Sequence, residues 1–286
     1  MLFIYYRGFL MKFKTIFFLF NGFIIMAFLL LSLIPLIAFG PEYSQMAWGR
    51  NWIITVLFVV FISGLDLYFI LNWKLFNLLE KEDWPLLVAY LEERVYKKKR
   101  YSKKNLGLLI NAYISVSNLD KIKRLETEMR AGAPKIVPYF ALYLGTPYIL
   151  ENDLKKCASF FEEFINIPEV RFGEWIRWCY AFSLVSLDKL EESRDLFMGL
   201  LNTSKNDIII LLTLYLIKSM DKVLTDEEKQ QCLEKSHLFT EKHHTNKDWE
   251  KVYSRAMEEN LLVLLLSSLI KSSYDWINEV KGNIFP

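Results

Sequence analysis

The sequence predicts an all-α protein in which a two-helix transmembrane hairpin is followed by an α-solenoid of antiparallel helix pairs. Three observations favour this fold class. The chain has 286 residues, of which 53% are hydrophobic, with only 11 glycines and 8 prolines, a composition that argues against a loop-rich or all-β secreted module. Two long apolar runs lie near the N-terminus. In the rest of the chain, apolar residues recur at helical spacing.

Composition also excludes several classes of protein. The apolar content is too high for a disordered chain. A net charge of +2, from 35 basic and 33 acidic side chains, is too low for a protein that binds nucleic acid through its phosphates. The three cysteines, Cys157, Cys179 and Cys232, have neither metal-site nor disulfide spacing. They are predicted to be buried thiols, with an interchain disulfide or a reactive thiol as the alternative.

The first apolar run predicts a transmembrane helix over residues 15–39, preceded by a flank of residues 1–14. Residues 15–41 contain no charged side chain, and about 20 apolar residues are enough to cross a hydrocarbon core. A cleaved signal peptide that begins at Met11 is the alternative. The run is longer than the usual core of a signal peptide, and no small-residue cleavage site follows it. Met11 is also an alternative first residue of the chain.

The second apolar run predicts a transmembrane helix over residues 52–73, with tryptophan at both ends, as is typical of membrane interfaces. Residues 40–51 are expected to form the connecting loop, so the two spans form an antiparallel hairpin. Basic residues flank the hairpin on both sides, whereas the loop contains only Arg50. The asymmetry predicts a multi-pass protein of the bacterial inner membrane with both termini and the helical repeats in the cytoplasm.

One carboxylate, Asp66, lies inside the second predicted span, where a charge is costly unless it is paired, protonated or facing water. Asn21 lies at nearly the same depth in the first span, so we expect the two side chains to form a hydrogen bond. Gly22 and Gly64 beside them predict a close approach of the helices. The alternatives are snorkelling of Asp66 to the interface, an ion or proton pathway, or a charged partner helix. Homo- or hetero-oligomers are expected to form through this hairpin.

The remainder of the chain contains an internal repeat. Residues 74–286 carry 31 basic and 31 acidic side chains and are therefore electrically balanced. Within them, Leu119-Asp120-Lys121-Ile122 recurs as Leu187-Asp188-Lys189-Leu190, with Asp153-Leu154-Lys155-Lys156 midway. Three helices are therefore expected to begin at intervals of about 34 residues.

Each of these helices is preceded by another helix that carries a small residue at the expected crossing point. The small residues are Ala112, Gly145 and Ala181. Gly145 is twelve residues before Cys157, and Ala181 is twelve residues before Ser193. The equal spacing predicts a repeated αα-hairpin with a fixed turn.

Over residues 102–203 this pattern resembles the tetratricopeptide repeat. The matches are Leu144, Gly145 and Tyr148 in one first helix, Tyr180, Ala181 and Leu184 in the next, and Phe161 and Phe197 in the second helices. The resemblance implies a curved stack of helix pairs whose concave side holds a peptide or a partner helix.

Some positions depart from the family pattern. The Trp of the family has no match except the shifted Trp178, its second-helix Ala is replaced by Cys157 and Ser193, and its terminal Pro is present only as Pro168. Pro147 predicts a kink or break in its helix. A generic α-solenoid is therefore the alternative.

The flanks of the repeats are also predicted to be helical, with linker helices over residues 74–101 and C-terminal repeats or a cap over residues 204–286. Asp83 precedes a helix that begins with Trp84 and Pro85. Residues 225–228 are a capping box that opens a helix to about Lys242. One long helix is expected over residues 246–271, because the apolar run within it is too short for a third span.

No catalytic, cofactor or metal site is predicted. The sequence contains no Gly-rich phosphate loop, nucleophile elbow, zincin helix or repeated Cys pair. His237, Glu241 and His244, with His243 adjacent, have a spacing that can bind zinc, but three ligands near a helix end are weak evidence for a site. They are expected to be solvated.

These features predict a membrane-anchored scaffold or adaptor, not an enzyme, that binds a protein partner through its helical repeats. The alternative is a structural subunit of a larger transport, secretion or motor assembly that docks through its hairpin. The candidate partner-binding residues are four aromatic side chains expected to be exposed: Tyr113, Tyr139, Tyr143 and Trp175. The candidate lipid-headgroup contacts, for which a solvated loop is the alternative, are Lys97, Lys98, Lys99, Arg100, Lys103 and Lys104.

Overall fold

The computed structural model describes residues 13–168, 170–243 and 246–280, which form helices joined by short turns, with no strand among them. The all-α prediction is therefore confirmed for the described residues. The chain divides into two compact units whose boundary lies between Lys98 and Lys99. The predicted linker of residues 74–101 is thus not a unit of its own, since nearly all of it belongs with the hairpin.

The first unit contains α1 (Phe13–Phe39), α2 (Pro41–Glu80) and α3 (Trp84–Glu92), followed by one π-helical turn (Glu93–Lys97). Aromatic side chains hold α1 and α2 together in antiparallel order. Phe28 stacks on Phe58 with ring centroids 4.1 Å apart, and Phe17 meets Phe69 at 5.1 Å.

Two helical segments of this unit, Thr15–Phe39 and Trp48–Glu80, are long and apolar enough to span a membrane. Neither apolar stretch is buried within the protein, so both present apolar side chains outward. Length and composition alone make these helices candidate spans. A signal sequence would have the same properties as the first of them.

Two expectations about the hairpin are wrong. Residues 41–50 are helical rather than a loop, because Pro41 starts α2 directly after Gly40, and the chain only kinks at Asn51, which has φ −111° and ψ 16°. Gly22 and Gly64 do not mark a close approach either, since a Cβ atom on either residue would meet nothing within 4 Å. The aromatic pairs space the two helices instead.

The second unit contains eleven described helices in an order that follows the chain. Each helix from α4 to α10 packs against the next, and α4 with α6, α6 with α8 and α8 with α10 are also in contact. Helix α14 returns to pack on α10. The helices are α4 (Lys103–Ser115), α5 (Leu119–Gly132), α6 (Val137–Leu150), α7 (Leu154–Glu162), α8 (Gly173–Ser186), α9 (Leu190–Thr203), α10 (Asp207–Ile217), α11 (Asp226–Lys242), α12 (Asn246–Glu259), α13 (Leu261–Leu265) and α14 (Ser267–Glu279).

The turns between α4 and α5, α6 and α7, and α8 and α9 share one geometry. Each contains a left-handed residue, namely Ser117 (φ 53°), Asn152 (φ 57°) and Asp188 (φ 61°), and Glu82 (φ 52°) has the same conformation between α2 and α3. The amide after each left-handed residue bonds back to the carbonyl five residues earlier, as in the Schellman motif. In the second unit these bonds join Asn118 to Tyr113, Asp153 to Tyr148 and Lys189 to Leu184, at 2.9–3.0 Å.

This recurrent turn corrects the register of the predicted repeat. Helices α5, α7 and α9 begin at Leu119, Leu154 and Leu190, so the interval is 35 and then 36 residues rather than 34. Leu187 is the C-terminal cap of α8 and does not correspond to Leu119. The repeated Leu-Asp-Lys sequence predicted the wrong register for the repeat, because its charged residues lie outside the core.

Counted from the turn, the crossing position is occupied by Ile110, Gly145 and Ala181, so Ala112 was assigned incorrectly. A Cβ atom on Gly145 would lie 2.8 Å from Cε1 of Phe161, which leaves no room for a larger side chain there. In the following pair, Ser193 Oγ donates a hydrogen bond to the Ala181 carbonyl at 2.9 Å. Small residues therefore mark close crossings in two of the three pairs.

The predicted break at Pro147 is wrong, since α6 continues through it to Leu150. Pro147 is buried near the end of α6. Proline has no backbone N–H, so the hydrogen bond that it cannot donate is lost only in the last turn of the helix. Helix α6 packs against α5 and α7, and these contacts keep its backbone helical through Pro147.

The C-terminal region confirms one boundary and corrects another. The capping box of Thr225 and Glu228 is present, and α11 ends at Lys242. The single long helix expected over residues 246–271 is instead three helices, because the chain is extended at Asn260 (φ −142°, ψ 116°) and interrupted again at Leu266. The breaks allow α12 and α14 to meet.

Candidate functional site

An aromatic and cationic surface lies where α6 meets the segment that precedes α8. Arg171 Nη1 donates a hydrogen bond to Tyr139 Oη at 2.9 Å, and its guanidinium lies 4.6 Å from the ring centroid of Phe172. Lys103 Nζ lies 4.2 Å from the ring centroid of Tyr139, and Tyr143 meets the Phe172 ring edge-on at 5.7 Å. We call these five residues the Tyr139 surface.

The Tyr139 surface combines side-chain types that are enriched at the energetic centres of protein interfaces. Tyr139 and Tyr143 are half-buried, and Arg171 is exposed. Burial raises the pKa of Tyr143, against the opposing effect of Arg171, so its hydroxyl stays protonated at neutral pH. Rings held by a guanidinium present a preordered surface, which loses little conformational entropy when a partner binds.

Two of the four predicted partner-binding residues are not exposed. Tyr113 is 0% exposed and Trp175 is 3% exposed, so neither is available to a partner as an exposed side chain. Tyr113 lies four residues before Ser117, the left-handed residue of the recurrent turn, where α4 packs against α5. Trp175 packs edge-on against Trp178 with ring centroids 6.1 Å apart. Both were placed on the wrong face because helical spacing alone does not show which faces neighbouring helices cover.

The structure brings Asn21 and Asp66 together inside the apolar hairpin. Asn21 Nδ2 donates a hydrogen bond to Asp66 Oδ1 at 2.9 Å. An amide donor stabilises the carboxylate but does not neutralise its charge. The pair is therefore the polar feature that a membrane environment would affect most.

All six residues of the predicted lipid-contact run are exposed. Lys98 Nζ lies 3.1 Å from Glu93 Oε1, and this hydrogen bond lowers the pKa of Glu93. Lys103 belongs to the Tyr139 surface, where its charge faces a ring rather than an anion. Lys97 and Lys98 belong to the first unit, and the other four basic residues belong to the second.

The residues whose spacing could bind zinc, and which are expected to be solvated, are only partly described by the structure. His237 is exposed on α11, and His244 lies outside the described residues. Among the residues that the structure describes, no group of three or more His, Cys, Asp or Glu could hold a metal ion.

The three cysteines are buried and carry no disulfide, as predicted. Burial raises the pKa of Cys157 to about 11 and that of Cys232 to about 12, and it also raises the pKa of Cys179. The thiolate is the reactive form of cysteine, so these residues are inert at neutral pH.

His243, which the sequence predicted to be solvated, is buried. Its side chain is 3% exposed, and Nε2 lies 3.2 Å from Asp207 Oδ2. The rings of Phe239 and Trp249 lie 4.6 and 5.9 Å away. Burial lowers the pKa of His243, against an opposing effect of Asp207, so the imidazole is neutral at neutral pH. Phe239, four residues earlier, was the sequence signal that His243 shares an apolar helix face.

A polar network centred on the buried Glu126 joins α5 and α6, and the sequence pattern did not predict it. Glu126 occupies the place that Phe161 and Phe197 take in the next two pairs, counted from the turn. Its carboxylate accepts hydrogen bonds from Arg130 Nε at 2.8 Å and Tyr148 Oη at 3.1 Å. Burial and the charge of Glu126 raise the pKa of Tyr148 to about 12. The network thus replaces a hydrophobic contact with charge-assisted hydrogen bonds.

Comparison with known proteins places this helical unit in a family. Residues 121–279, more than half of the chain, match a family model described as "Uncharacterised Treponema protein". The chain belongs to this family.

A relative from Treponema pallidum (strain Nichols), described as "Uncharacterized protein", is 24% identical over an alignment of 289 residues. The alignment covers 95% of this chain and 90% of the relative, so it must include most of both α1 and α2. The matched region of the Treponema family takes in α6 to α14 and thus most of the Tyr139 surface. No solved structure matches this chain.

Proposed function

We propose that this member of the Treponema family is a membrane-anchored scaffold or adaptor that binds a protein partner through its helical unit and has no enzymatic activity of its own. The observation that carries the proposal is the Tyr139 surface, which combines rings and cations on regularly paired helices. The apolar hairpin supplies the anchor, since its outward side chains suit lipid better than water.

We infer that the helical unit is a tetratricopeptide-like α-solenoid. The recurrent turn, the contacts between alternate helices and the close crossing of Gly145 with Phe161 support this inference. Stacked helix pairs of this kind offer an extended surface for a peptide or a partner helix. The identity of that partner would define the biological role of the scaffold.

The proposed topology places both termini and the helical unit in the cytoplasm at the bacterial inner membrane. The distribution of Lys and Arg around the hairpin supports it, and the basic run of residues 97–104 would then contact anionic headgroups. A reporter that is active only outside the cytoplasm, fused after residue 286, is expected to be silent. An active fusion would invert the topology.

Site-specific photo-crosslinking tests partner binding. A photo-reactive phenylalanine analogue at Tyr139 or Tyr143, in the full chain in membranes of its own cell, is expected to give one discrete adduct. The same analogue at the exposed Leu238 on α11 is the matched control and should give none. Absence of an adduct at both tyrosines, or the same adduct at Leu238, would contradict the proposal.

The second candidate function is a structural subunit of a larger membrane assembly. The Asn21–Asp66 hydrogen bond favours it, because an ionisable side chain inside an apolar hairpin is costly and a charged partner helix would stabilise it. Asp66→Asn keeps the size of the side chain and removes the charge, so it should lose subunits that co-purify with the wild type. Ser63→Asn, an exposed position one turn away, is the control. Full co-purification of all subunits with Asp66→Asn would argue against this function.

A further inference from the structure

A cavity of about 260 Å³ lies between the starts of α8 and α10 and the end of α12. Its volume is below the roughly 300–1,000 Å³ of sites that hold drug-sized molecules, which suits one long side chain better. The cavity is lined by Phe172, Gly173, Glu174, Trp175, Asn206, Ala256, Glu259, Asn260 and Val263.

One of the residues that line this cavity, Asn260, carries an unsatisfied hydrogen-bond donor. Its side chain is 4% exposed, and Oδ1 accepts a hydrogen bond from the Leu262 amide at 3.0 Å. Because the atom that accepts from the Leu262 amide must be the oxygen, the other terminal atom of the Asn260 side chain is the nitrogen Nδ2. Nδ2 is buried and has no hydrogen-bond partner among the described residues. Because a buried donor without a partner is destabilising, a ligand that offers an acceptor is favoured here.

The start of α8 offers further donors at the same wall. No side chain among the described residues caps this helix, whose first residues, Gly173 and Glu174, line the cavity. The first amides of a helix have no partner within the helix. An oxygen acceptor in the cavity can therefore bond to main-chain amides as well as to Asn260.

The charges around the cavity indicate what else the ligand carries. Two of the nine lining residues, Glu174 and Glu259, are acidic and none is basic, so an anionic ligand is disfavoured. Glu174 Oε2 accepts a hydrogen bond from Ser204 Oγ at 2.9 Å, which leaves its negative charge in place. Glu259 pairs with Arg255 at 2.9 Å, but both side chains of this pair are exposed, so a ligand cation can compete with it.

We propose that this cavity binds one basic residue, arginine or lysine, of an extended segment of a partner protein. A main-chain carbonyl of that segment accepts from Asn260 Nδ2, the cation meets Glu174 and Glu259, and the methylenes pack on Ala256 and Val263. The inference rests on the proposed function, that the helical unit binds a protein, and names the chemistry that the partner must carry.

The test uses the full chain in detergent, labelled with ¹⁵N at asparagine, and titrates it with N-acetyl-arginine amide. The side-chain amide signal of Asn260, assigned by its loss in Asn260→Asp, is expected to shift and saturate. Two probes dissect the ligand. N-acetyl-citrulline amide lacks the charge, and butylguanidine lacks the carbonyl but keeps a single positive charge, so each should bind at least tenfold more weakly than N-acetyl-arginine amide.

Variants identify the acidic groups. The double variant Glu174→Gln and Glu259→Gln preserves side-chain size and is expected to weaken binding of the arginine probe at least tenfold. Glu258→Gln, an exposed neighbour that does not line the cavity, should leave binding unchanged. Absence of a shift, equal binding of the citrulline probe, or equal loss in the Glu258 control would overturn the inference.

The two proposals fail separately in these experiments. If the crosslinked partner is found at Tyr139 or Tyr143 but the arginine probe does not bind, only the cavity assignment is wrong. If the probe binds but no partner is crosslinked, the scaffold function is wrong and the cavity is a site for a small basic ligand.

Discussion

At the scale of single residues, what covers a side chain decides its role in this protein. His237 and His243 lie on or at the end of the same helix, yet the first is exposed and the second is buried beside Asp207. Glu126 likewise takes a core position because Arg130 and Tyr148 satisfy its carboxylate. A buried carboxylate such as that of Glu126 is tolerated because these partners offset the loss of its hydration.

The burial of His243 predicts a pH-dependent stability. The pKa of His243 in the folded protein is below 6.5, the ordinary value that applies to the unfolded chain. At a pH between the folded and the unfolded pKa, the unfolded chain binds a proton that the folded chain does not. The free energy of unfolding should therefore fall as the pH drops through about 6.5, by at most about 1.4 kcal/mol per pH unit. Denaturant unfolding of the full chain in detergent between pH 5.5 and 7.5, followed by tryptophan fluorescence, measures this slope.

His243→Gln is expected to flatten that slope, since it removes the titrating group. His237→Gln, at an exposed position on the same helix, should leave the slope as in the wild type. An unchanged slope in His243→Gln would show that other groups account for the pH dependence.

The close crossing at Gly145 predicts opposite effects of one substitution at two sites. Gly145→Ala places a methyl group against the Phe161 ring and should lower the free energy of unfolding by about 1–3 kcal/mol. Gly199→Ala lies within α9 with nothing within 4 Å, so it should raise that free energy by about 0.5–1 kcal/mol. Thermal unfolding followed by circular dichroism at 222 nm compares the two. A neutral Gly145→Ala would mean that α6 and α7 do not cross there.

At the scale of elements, the recurrent turn is the most regular feature of the helical unit. A left-handed residue and a back-bonded amide end one helix, and the next helix begins at once. Asn118 and Asp153 cap the following helices by accepting from the amides of Lys121 and Lys156. The turn is therefore set by local backbone conformation and hydrogen bonds, which explains why it recurs while the core residues vary.

The turn predicts opposite effects of glycine at two neighbouring serines. Ser117 has φ 53°, a conformation that glycine adopts without strain, so Ser117→Gly should raise the free energy of unfolding by about 0.5–1 kcal/mol. Ser115 is the last residue of α4, where Ser115→Gly should lower it by about 0.5 kcal/mol. Both side chains are exposed, so neither substitution removes core packing, and Ser115→Gly also removes the hydrogen bond from Ser115 Oγ to the Asn111 carbonyl. Urea unfolding of the two variants should give shifts of opposite sign, and a shared sign would contradict the turn geometry.

At the scale of the whole molecule, two compact units divide the chain at Lys98. The apolar helices α1 and α2 belong to the first unit. The helical pairs, the Tyr139 surface and the cavity belong to the second. The boundary also divides the basic run, since Lys97 and Lys98 lie in the first unit and the other four basic residues lie in the second. A hydrophobic core of its own is what allows a unit to fold independently.

This division predicts how the chain and its fragment partition. The full chain should stay in the membrane pellet after an alkaline carbonate wash, because α1 and α2 expose apolar side chains. The fragment of residues 99–286 should be soluble and helical by circular dichroism. The mass of the membrane-bound chain should include the first span, whereas a shortened N-terminus would indicate a cleaved signal sequence. Release of the full chain by carbonate would contradict membrane insertion.

The sequence by itself determined the features that depend on neighbouring residues. The apolar runs predicted α1 and the later part of α2, Thr225 and Glu228 predicted the start of α11, and Gly145 marked a close crossing. These features are visible because hydrophobic periodicity, capping and side-chain size act within a few turns of helix.

Only the tertiary structure decided which polar and aromatic residues are covered. Tyr113 and Trp175 are buried, and the long C-terminal helix breaks at Asn260. The cavity brings together residues 172–175, 206 and 256–263, which are distant in sequence. The physical reason is that a helical pattern shows which residues share a face. What that face meets depends on packing between distant segments.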